Sequence, residues 1–166
     1  MLKVLYFISL LICFHPALAD KISANKATNA AVNQTIDRFH LAAAQANADE
    51  YFNLFADDAI FLGTDGSERW TKDEFKAYVA PHFSKGNGWL YQKVQRNISL
   101  IEGKNIAFFD ELLVNNNYGQ CRGTGVLIKV DNEWKILQYN LSIPVPNELS
   151  NDIVGLIQNA NDTPSL

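Results

Sequence analysis

Two adjacent acids, Asp110 and Glu111, lie inside the otherwise apolar stretch "AFFDELLV", which begins at residue 107. The composition of this stretch and the turn signals on both sides of it predict a β-strand. Neighbouring side chains of a strand point to opposite faces, so one of the two carboxylates must point toward the apolar side. A carboxylate in such an environment can act as a general base or can anchor a polar substrate.

Arg122 lies in the next predicted strand of the same hairpin. This hairpin covers residues 105–130 and turns at "NNYG". Which acid shares a face with Arg122 depends on how the two strands of the hairpin pair. If the residue numbers of each directly opposed pair add up to an odd number, it is Glu111, and if they add up to an even number, it is Asp110. An arginine there would lower the pKa of the acid, whereas burial would raise it. The functional interpretation is a carboxylate that Arg122 positions for catalysis or substrate binding. The structural alternatives are an ion pair that fixes the register, or one acid in solvent and one at the rim of a pocket.

A few other side chains are candidates for chemistry. His40 lies at the edge of the apolar stripe of a predicted helix. It is either a proton carrier in a pocket or a partly buried histidine whose ring nitrogens have hydrogen-bond partners. Trp70 and Trp89 follow predicted loops, and they either form the mouth of a pocket or pack as ordinary core. The "GTDGSERW" loop places Asp65 and Glu68 near that mouth, where a carboxylate pair could bind a cation, but their spacing matches no metal motif. We expect neither a metal ion nor a cofactor.

The order of predicted elements indicates an α+β domain. Apolar residues at helical spacing predict a helix over residues 28–46, then a short helix capped by Asp49, and then a helix that begins with a capping box of Thr71 and Glu74. A short strand, "AIFLGT", precedes this third helix, and four longer strand-like runs follow Trp89. We therefore expect a curved antiparallel sheet with the N-terminal helices packed on its concave face. Residues 148–166 are expected to form a C-terminal helix or tail.

Residues 1–19 have the features of a signal peptide. Lys3 precedes the apolar run "VLYFISLLICF", and "ALA" at residues 17–19 is a small-residue cleavage site. We expect cleavage after Ala19, a flexible leader over residues 20–29, and export to the periplasm or the medium. The alternative is a buried N-terminal helix.

The charge of the chain bears on its partners. The formal net charge is −4 at pH 7, and the basic residues are scattered along the sequence. This pattern argues against nucleic acid, whose binding depends on clustered cations. Since no second apolar span follows the first, we expect no membrane association after cleavage.

Several local strings resemble one known family. The strings are "YFNLFADDAIFLGTDGSERW", "VAPHFSKGNGW", "FDELL", "YGQCRGTGVL" and "WKILQYNLSIPVPNEL". Together with the order of the elements, they resemble the SnoaL-like branch of the nuclear transport factor 2-like superfamily, with the domain over residues 30–147. The resemblance implies a cystatin-like cone in which the curled sheet encloses an apolar cavity for small ligands.

The last predicted strand contributes two amides to this expectation. Strict alternation places Trp134, Ile136, Gln138 and Asn140 on one face of the strand. Many relatives carry histidines at the positions of Gln138 and Asn140, so the resemblance implies a ligand-binding role for both. Two amides can orient a polar ligand through their donor and acceptor groups.

Three functions are compatible with these patterns. The first is an exported domain whose apolar pocket binds a small, partly polar organic molecule without established catalysis. The second is an isomerase, cyclase or dehydratase that uses Asp110 or Glu111 for proton transfer. The third is an interaction domain that forms a homodimer through one face of its sheet.

Overall fold

A computed structural model of the protein describes residues 16–101 and 103–162. The predicted signal peptide therefore lies mostly outside the described residues. The first helix, α1, covers Pro16–Ala44. Residues 20–29, which were predicted to be a flexible leader, form part of α1. Ala24 and Ala27 in this segment favour a helix.

Two more helices follow, and their caps explain where they begin. Helix α2 covers Ala48–Asn53, and its cap is Asn47, whose side chain accepts a hydrogen bond from the Glu50 N–H. The predicted cap, Asp49, instead lies in the first turn, where its negative charge is attracted to the positive end of the helix dipole. Helix α3 covers Lys72–Phe83, and the predicted capping box of Thr71 and Glu74 is confirmed.

Six strands form one sheet. Their bounds are Phe55–Leu62 (β1), Arg69–Thr71 (β2), Gln92–Leu100 (β3), Ile106–Asn115 (β4), Gly119–Val130 (β5) and Glu133–Ser142 (β6). The spatial order is β2-β1-β6-β5-β4-β3. Neighbouring strands are antiparallel except β1 and β6, which are parallel. The predicted α+β class with a curved sheet is confirmed, whereas the short strand β2 was not predicted.

The core lies between the helices and the inner face of the sheet. Val32, Ile36 and Phe39 of α1 are buried there, as are Ala107, Phe109 and Leu113 of β4. These residues recur at the helical period in α1 and at the strand period in β4, which is why both elements bury one face only. None of the helices in the described part of the chain is long and apolar enough to cross a membrane.

The C-terminal segment forms a helix. A 3-10 turn at Asn147–Leu149 leads into α4, which covers Ser150–Asp162. The main contacts of α4 are with that turn, and the apolar side chains of Val154, Leu156 and Ile157 are exposed. The predicted C-terminal helix is therefore present.

Candidate functional site

A cavity of about 420 Å³ lies between the helices and the inner face of the sheet. A volume in this range suits a small organic molecule. The walls are mainly aromatic: three phenylalanines, two tryptophans and five tyrosines. The aromatic lining residues are Phe39, Phe61, Phe75, Trp70, Trp89, Tyr51, Tyr78, Tyr91, Tyr118 and Tyr139. The polar lining residues are His40, His82, Glu68, Asn87, Asn115 and Asn117.

His40 connects this cavity to a buried acid. It lies on α1, lines the cavity, and places Nε2 2.7 Å from Oε1 of Glu111. Glu111 lies on β4, is 1% exposed, and points to the inner face of the sheet. The hydroxyl of Tyr139 also donates to Glu111 Oε1, at 3.2 Å. One carboxylate oxygen therefore accepts from two side chains of the cavity wall.

Arg96 holds the other carboxylate oxygen. Its Nε donates a hydrogen bond of 2.8 Å to Glu111 Oε2, and its Nη2 lies 2.7 Å from the same atom without the alignment of a hydrogen bond. Its Nη1 donates to Asn33 Oδ1 and to Asp37 Oδ1, each at 2.7 Å. The Arg96 side chain is 2% exposed, so this contact is a buried ion pair. A buried ion pair with two contacts fixes the carboxylate in one orientation.

These contacts keep Glu111 ionised. Burial by itself would raise the pKa of Glu111, but the hydrogen bond from His40, the charge of the His40 ring when it is protonated, and the charge and hydrogen bond of Arg96 lower the pKa below its ordinary value. Burial and the neighbouring Glu111 charge raise the pKa of Tyr139 well above its ordinary value, so this phenol stays a donor. An ionised carboxylate only accepts hydrogen bonds. The ring nitrogen that faces Glu111, Nε2 of His40, must therefore be the donor, so in a neutral His40 ring Nδ1 is the nitrogen that can accept a proton.

Strand register explains why these groups meet. Arg96 of β3 is directly opposite Glu111 of β4, and Glu111 is opposite Gly123 of β5. Side chains of opposed residues share a face of the sheet. Gly123 leaves space that the Glu111 carboxylate and the Tyr139 hydroxyl occupy. The cluster is thus built across four adjacent strands, β3 to β6, with His40 added from α1.

The loop before β3 closes one side of the cavity. The Trp89 N–H donates to the carbonyl of Ala43 near the end of α1, at 3.1 Å. Gly88 packs so closely there that an added Cβ would lie 2.6 Å from the Ala44 carbonyl oxygen. Glycine is required for that close approach, and it brings the Trp89 indole against Tyr51 of the cavity wall and against Phe83 of α3.

The sequence matches the family model of the SnoaL-like domain over residues 32–146. The chain belongs to the SnoaL-like family. No match was found among curated proteins.

Solved structures share the fold of this SnoaL-like domain. A nuclear transport factor 2-like protein of unknown function from Pseudomonas putida is 15% identical over 74% of this chain and 91% of that one, with a TM-score of 0.62. A proposed scytalone dehydratase from Novosphingobium aromaticivorans is 13% identical over 75% and 89%, with a TM-score of 0.63. A proposed dehydratase of the nuclear transport factor 2-like family from Streptomyces avermitilis is 13% identical over 74% and 99%, with a TM-score of 0.60. These likenesses show a common fold.

The SnoaL-like domain brings some of the predicted site residues together. Glu111 and His40 are in contact, and Trp70 and Trp89 line the cavity beside them. The binding role of the two tryptophans stays a prediction. Within residues 16–101 and 103–162, no group of three or more His, Cys, Asp or Glu side chains could hold a metal ion.

Asp110 and Arg122 lie outside this cluster. Paired numbers in the β4–β5 hairpin have an even sum, since Glu111 pairs with Gly123 and Asp110 with Thr124. Asp110 and Arg122 therefore share the outer, exposed face of the sheet, where Asp110 accepts a hydrogen bond from the Asn97 side-chain amide. The expectation that Arg122 positions a buried carboxylate is wrong, because Arg96 of the other neighbouring strand does so.

Gln138 and Asn140 also lie on the outer face. The register of β5 and β6 shifts between Val126 and Leu127, which pair with Gln138 and Ile136. This irregularity leaves Leu137 as an extra residue and reverses the alternation of side chains beyond it. Strict alternation placed the two amides with Trp134 and Ile136 on one face. In the structure the inner face instead continues with Tyr139 and Leu141, so the predicted pocket role of both amides is wrong.

Sequence reasoning missed two residues of the Glu111 cluster: Arg96 and Tyr139. The sequence did contain a signal for Arg96. Residues 96, 98 and 100 share one face of β3, so Arg96 is a cation on the same face as Ile98 and Leu100. Tyr139 was hidden by the register shift in β6. The sequence placed Glu68 on the "GTDGSERW" loop near the predicted pocket mouth, and it lines the cavity.

Proposed function

We propose that this exported SnoaL-like protein binds a small, partly polar organic molecule in its aromatic cavity and transfers a proton with His40. The reaction class is that of an isomerase, cyclase or dehydratase. One observation carries the proposal: the ring of His40 lines the cavity while its Nε2 contacts the ion-paired carboxylate of Glu111. Two proposed dehydratases with the same fold add support for this class.

The geometry supports a specific division of labour. His40 Nδ1 forms no hydrogen bond to another described residue, so this nitrogen can accept a proton from a bound molecule and return it. Glu111 fixes the tautomer and orientation of the ring and stabilises the imidazolium that forms. A molecule bound between the aromatic walls would displace water, which would strengthen the electrostatic effect of the Glu111 carboxylate on His40. Glu111 is therefore a positioning residue, and His40 is the base.

The role of His40 is testable without the natural substrate. Nitrobenzisoxazole is a planar molecule whose ring opens when a base removes one carbon-bound proton, as the N–O bond breaks to give a nitrile and a phenolate. We expect the protein to accelerate this opening, and His40→Gln to lower kcat/KM on the order of a hundredfold, because a positioned general base contributes at least that much. Phenolate absorbance measures the rate.

Two carboxylate variants supply the controls. Glu111→Gln should lower the rate at least about tenfold, because an amide can donate to His40 Nε2 and so leaves Nδ1 protonated. Asp110→Asn removes the same charge from the outer face and should leave the rate unchanged. Circular dichroism spectra verify that each variant is folded. Equal rates for the wild-type protein and folded His40→Gln would refute the proposal.

The location of the protein is part of the proposal. Export rests on the N-terminal sequence, in which a short apolar run precedes the "ALA" cleavage site. Removal of Lys3 with this segment makes the mature chain more negative by one charge.

We propose homodimer formation through the outer face of the sheet as a second function. Phe108 lies on this face and is 49% exposed, and Val114 of the same strand is also exposed. Val126 is opposite Phe108, and Leu137 follows in the neighbouring strand, with both only partly buried. An apolar surface of this kind on a sheet favours self-association.

Replacing Phe108 with aspartate should shift the protein from dimer to monomer. The charge would have to be desolvated at the centre of the proposed interface, which we expect to weaken association at least about a hundredfold. Light scattering after size exclusion measures the mass of each variant. A wild-type protein that is monomeric at about 100 µM would rule out this dimer.

A further inference from the structure

We infer that the molecule bound in the aromatic cavity is an organic cation, an amine or quaternary ammonium compound. This inference uses the cavity of the proposed function and adds the charge of its ligand. The described lining contains one carboxylate, that of Glu68, and no lysine or arginine. An anionic ligand would meet Glu68 without a compensating lysine or arginine, whereas a cationic ligand would neutralise its charge.

The Glu68 carboxylate is not neutralised by the protein itself. Its Oε2 accepts a hydrogen bond of 3.1 Å from the Asp65 N–H, and it forms no ion pair with a cation of the described chain. The adjacent Arg69 lines a separate groove with Ile60, Leu62 and Gln138. Glu68 therefore presents a net negative charge to the cavity.

The backbone provides a space for this carboxylate. A Cβ on Gly63 would collide with the Glu68 carboxylate, so glycine at this position allows the acid to pack against the chain. The Gly63 N–H also donates to the Glu68 carbonyl at 2.9 Å, which ties the two ends of the loop together. The position of the acid thus depends on the loop structure as well as on its own rotamer.

The aromatic walls add a second attraction for a cation. The faces of aromatic rings carry negative electrostatic potential, and an ammonium group near such a face is stabilised, most strongly by tryptophan. Trp70 stacks on Tyr78 with centroids 4.8 Å apart and planes at 21°, and both rings line the cavity with Glu68. Trp89 and Tyr118 contribute further rings. A carboxylate combined with several aromatic rings is a suitable environment for an ammonium group.

A matched set of probes tests the charge preference directly. Para-hydroxyphenyltrimethylammonium and para-tert-butylphenol have the same shape and differ by one positive charge, and para-hydroxybenzoate supplies an anion. We expect the ammonium compound to bind at least about tenfold more tightly than the tert-butyl compound, and the benzoate to bind most weakly. Titration followed by tryptophan fluorescence or calorimetry measures the three dissociation constants.

Variants of the loop locate the source of the preference. Glu68→Gln should reduce the advantage of the ammonium probe to threefold or less while the affinity for the tert-butyl compound stays within about twofold. Asp65→Asn removes the same charge from the same loop outside the cavity lining and should keep the preference. The inference is overturned if the benzoate or the tert-butyl compound binds as tightly as the ammonium probe, or if Glu68→Gln leaves the preference intact.

These results are separable from the test of proton transfer. A cation preference in a protein that fails to open nitrobenzisoxazole would sustain the present inference and refute catalysis by His40. Ring opening that depends on His40 without a cation preference would refute the present inference alone.

Discussion

Replacing Arg96 with methionine is expected to lower the free energy of unfolding at pH 7 by about 3–5 kcal/mol. The substitution keeps much of the side-chain volume but leaves the Glu111 carboxylate buried without its cation. It also removes the donors to Asn33 and Asp37. Removing one partner of a buried pair is costly because the other charge stays desolvated. Urea denaturation followed by fluorescence measures the change.

Arg38→Met provides a matched control for this loss. Arg38 contacts Glu50 at 2.7 Å, but both side chains are substantially exposed. Solvent screens such pairs, so the same substitution should cost less than about 1 kcal/mol. The double variant Arg96→Met with Glu111→Gln should regain part of the lost stability, since no buried charge is left unpaired. Equal losses for the Arg96 and Arg38 variants would contradict the buried ion pair.

The pH dependence of this loss has a definite sign. The pKa of Glu111 in the folded protein lies below its ordinary value of 4.5, so its ionised form stabilises the fold above that pH. This contribution disappears as the pH falls through the folded-state pKa. The stability difference between the wild-type protein and Arg96→Met should therefore be largest near neutral pH and should shrink as acid protonates Glu111.

Gly123→Ala is expected to damage both stability and catalysis. An added Cβ would lie 2.5 Å from the Tyr139 hydroxyl oxygen and 2.7 Å from Glu111 Oε1. These distances are too short for carbon and oxygen, so the carboxylate or the phenol must move away from its present partners. We expect a loss of about 1–3 kcal/mol in the free energy of unfolding from this overpacking. The rate of nitrobenzisoxazole opening should fall at least about tenfold, because His40 loses the fixed position of Glu111.

Gly155→Ala is a control that distinguishes the clash expected at position 123 from the general effect of replacing a glycine with alanine. Gly155 lies in α4, where an added Cβ has no neighbour within 4 Å. Gly155→Ala should leave the rate unchanged and stabilise the protein by up to about 1 kcal/mol, because alanine favours the helix. A Gly123→Ala protein with wild-type stability and rate would show that the cluster tolerates displacement of Glu111, and would remove the basis for its positioning role.

Several features of this protein followed from local sequence alone. The period of the apolar residues predicted α1, and the spacing of Thr71 and Glu74 predicted the start of α3. Turn signals separated the four long strands, and the order of elements indicated an α+β domain with a curved sheet. Each of these signals depends on residues that are a few positions apart, where the chain geometry is set by its own neighbours.

The composition of the site depended on long-range pairing. Alternation required one of Asp110 and Glu111 to point inward, but the parity of the β4–β5 pairing decided that it is Glu111. The partners of Glu111, Arg96 and His40, are 15 and 71 residues away along the chain. Their contacts with it result from strand register and from the packing of α1 on the sheet.

The irregular pairing of β6 had the largest effect on the predicted site. One extra residue at Leu137 moved Gln138 and Asn140 to the outer face and Tyr139 to the inner face. Local alternation predicts the face of each side chain only while the strand is regular. The register of a strand depends on the packing of the whole sheet, because burial of one apolar face specifies how the strands pair. The sequence therefore determined the elements and their class, and the packed sheet determined which side chains form the site.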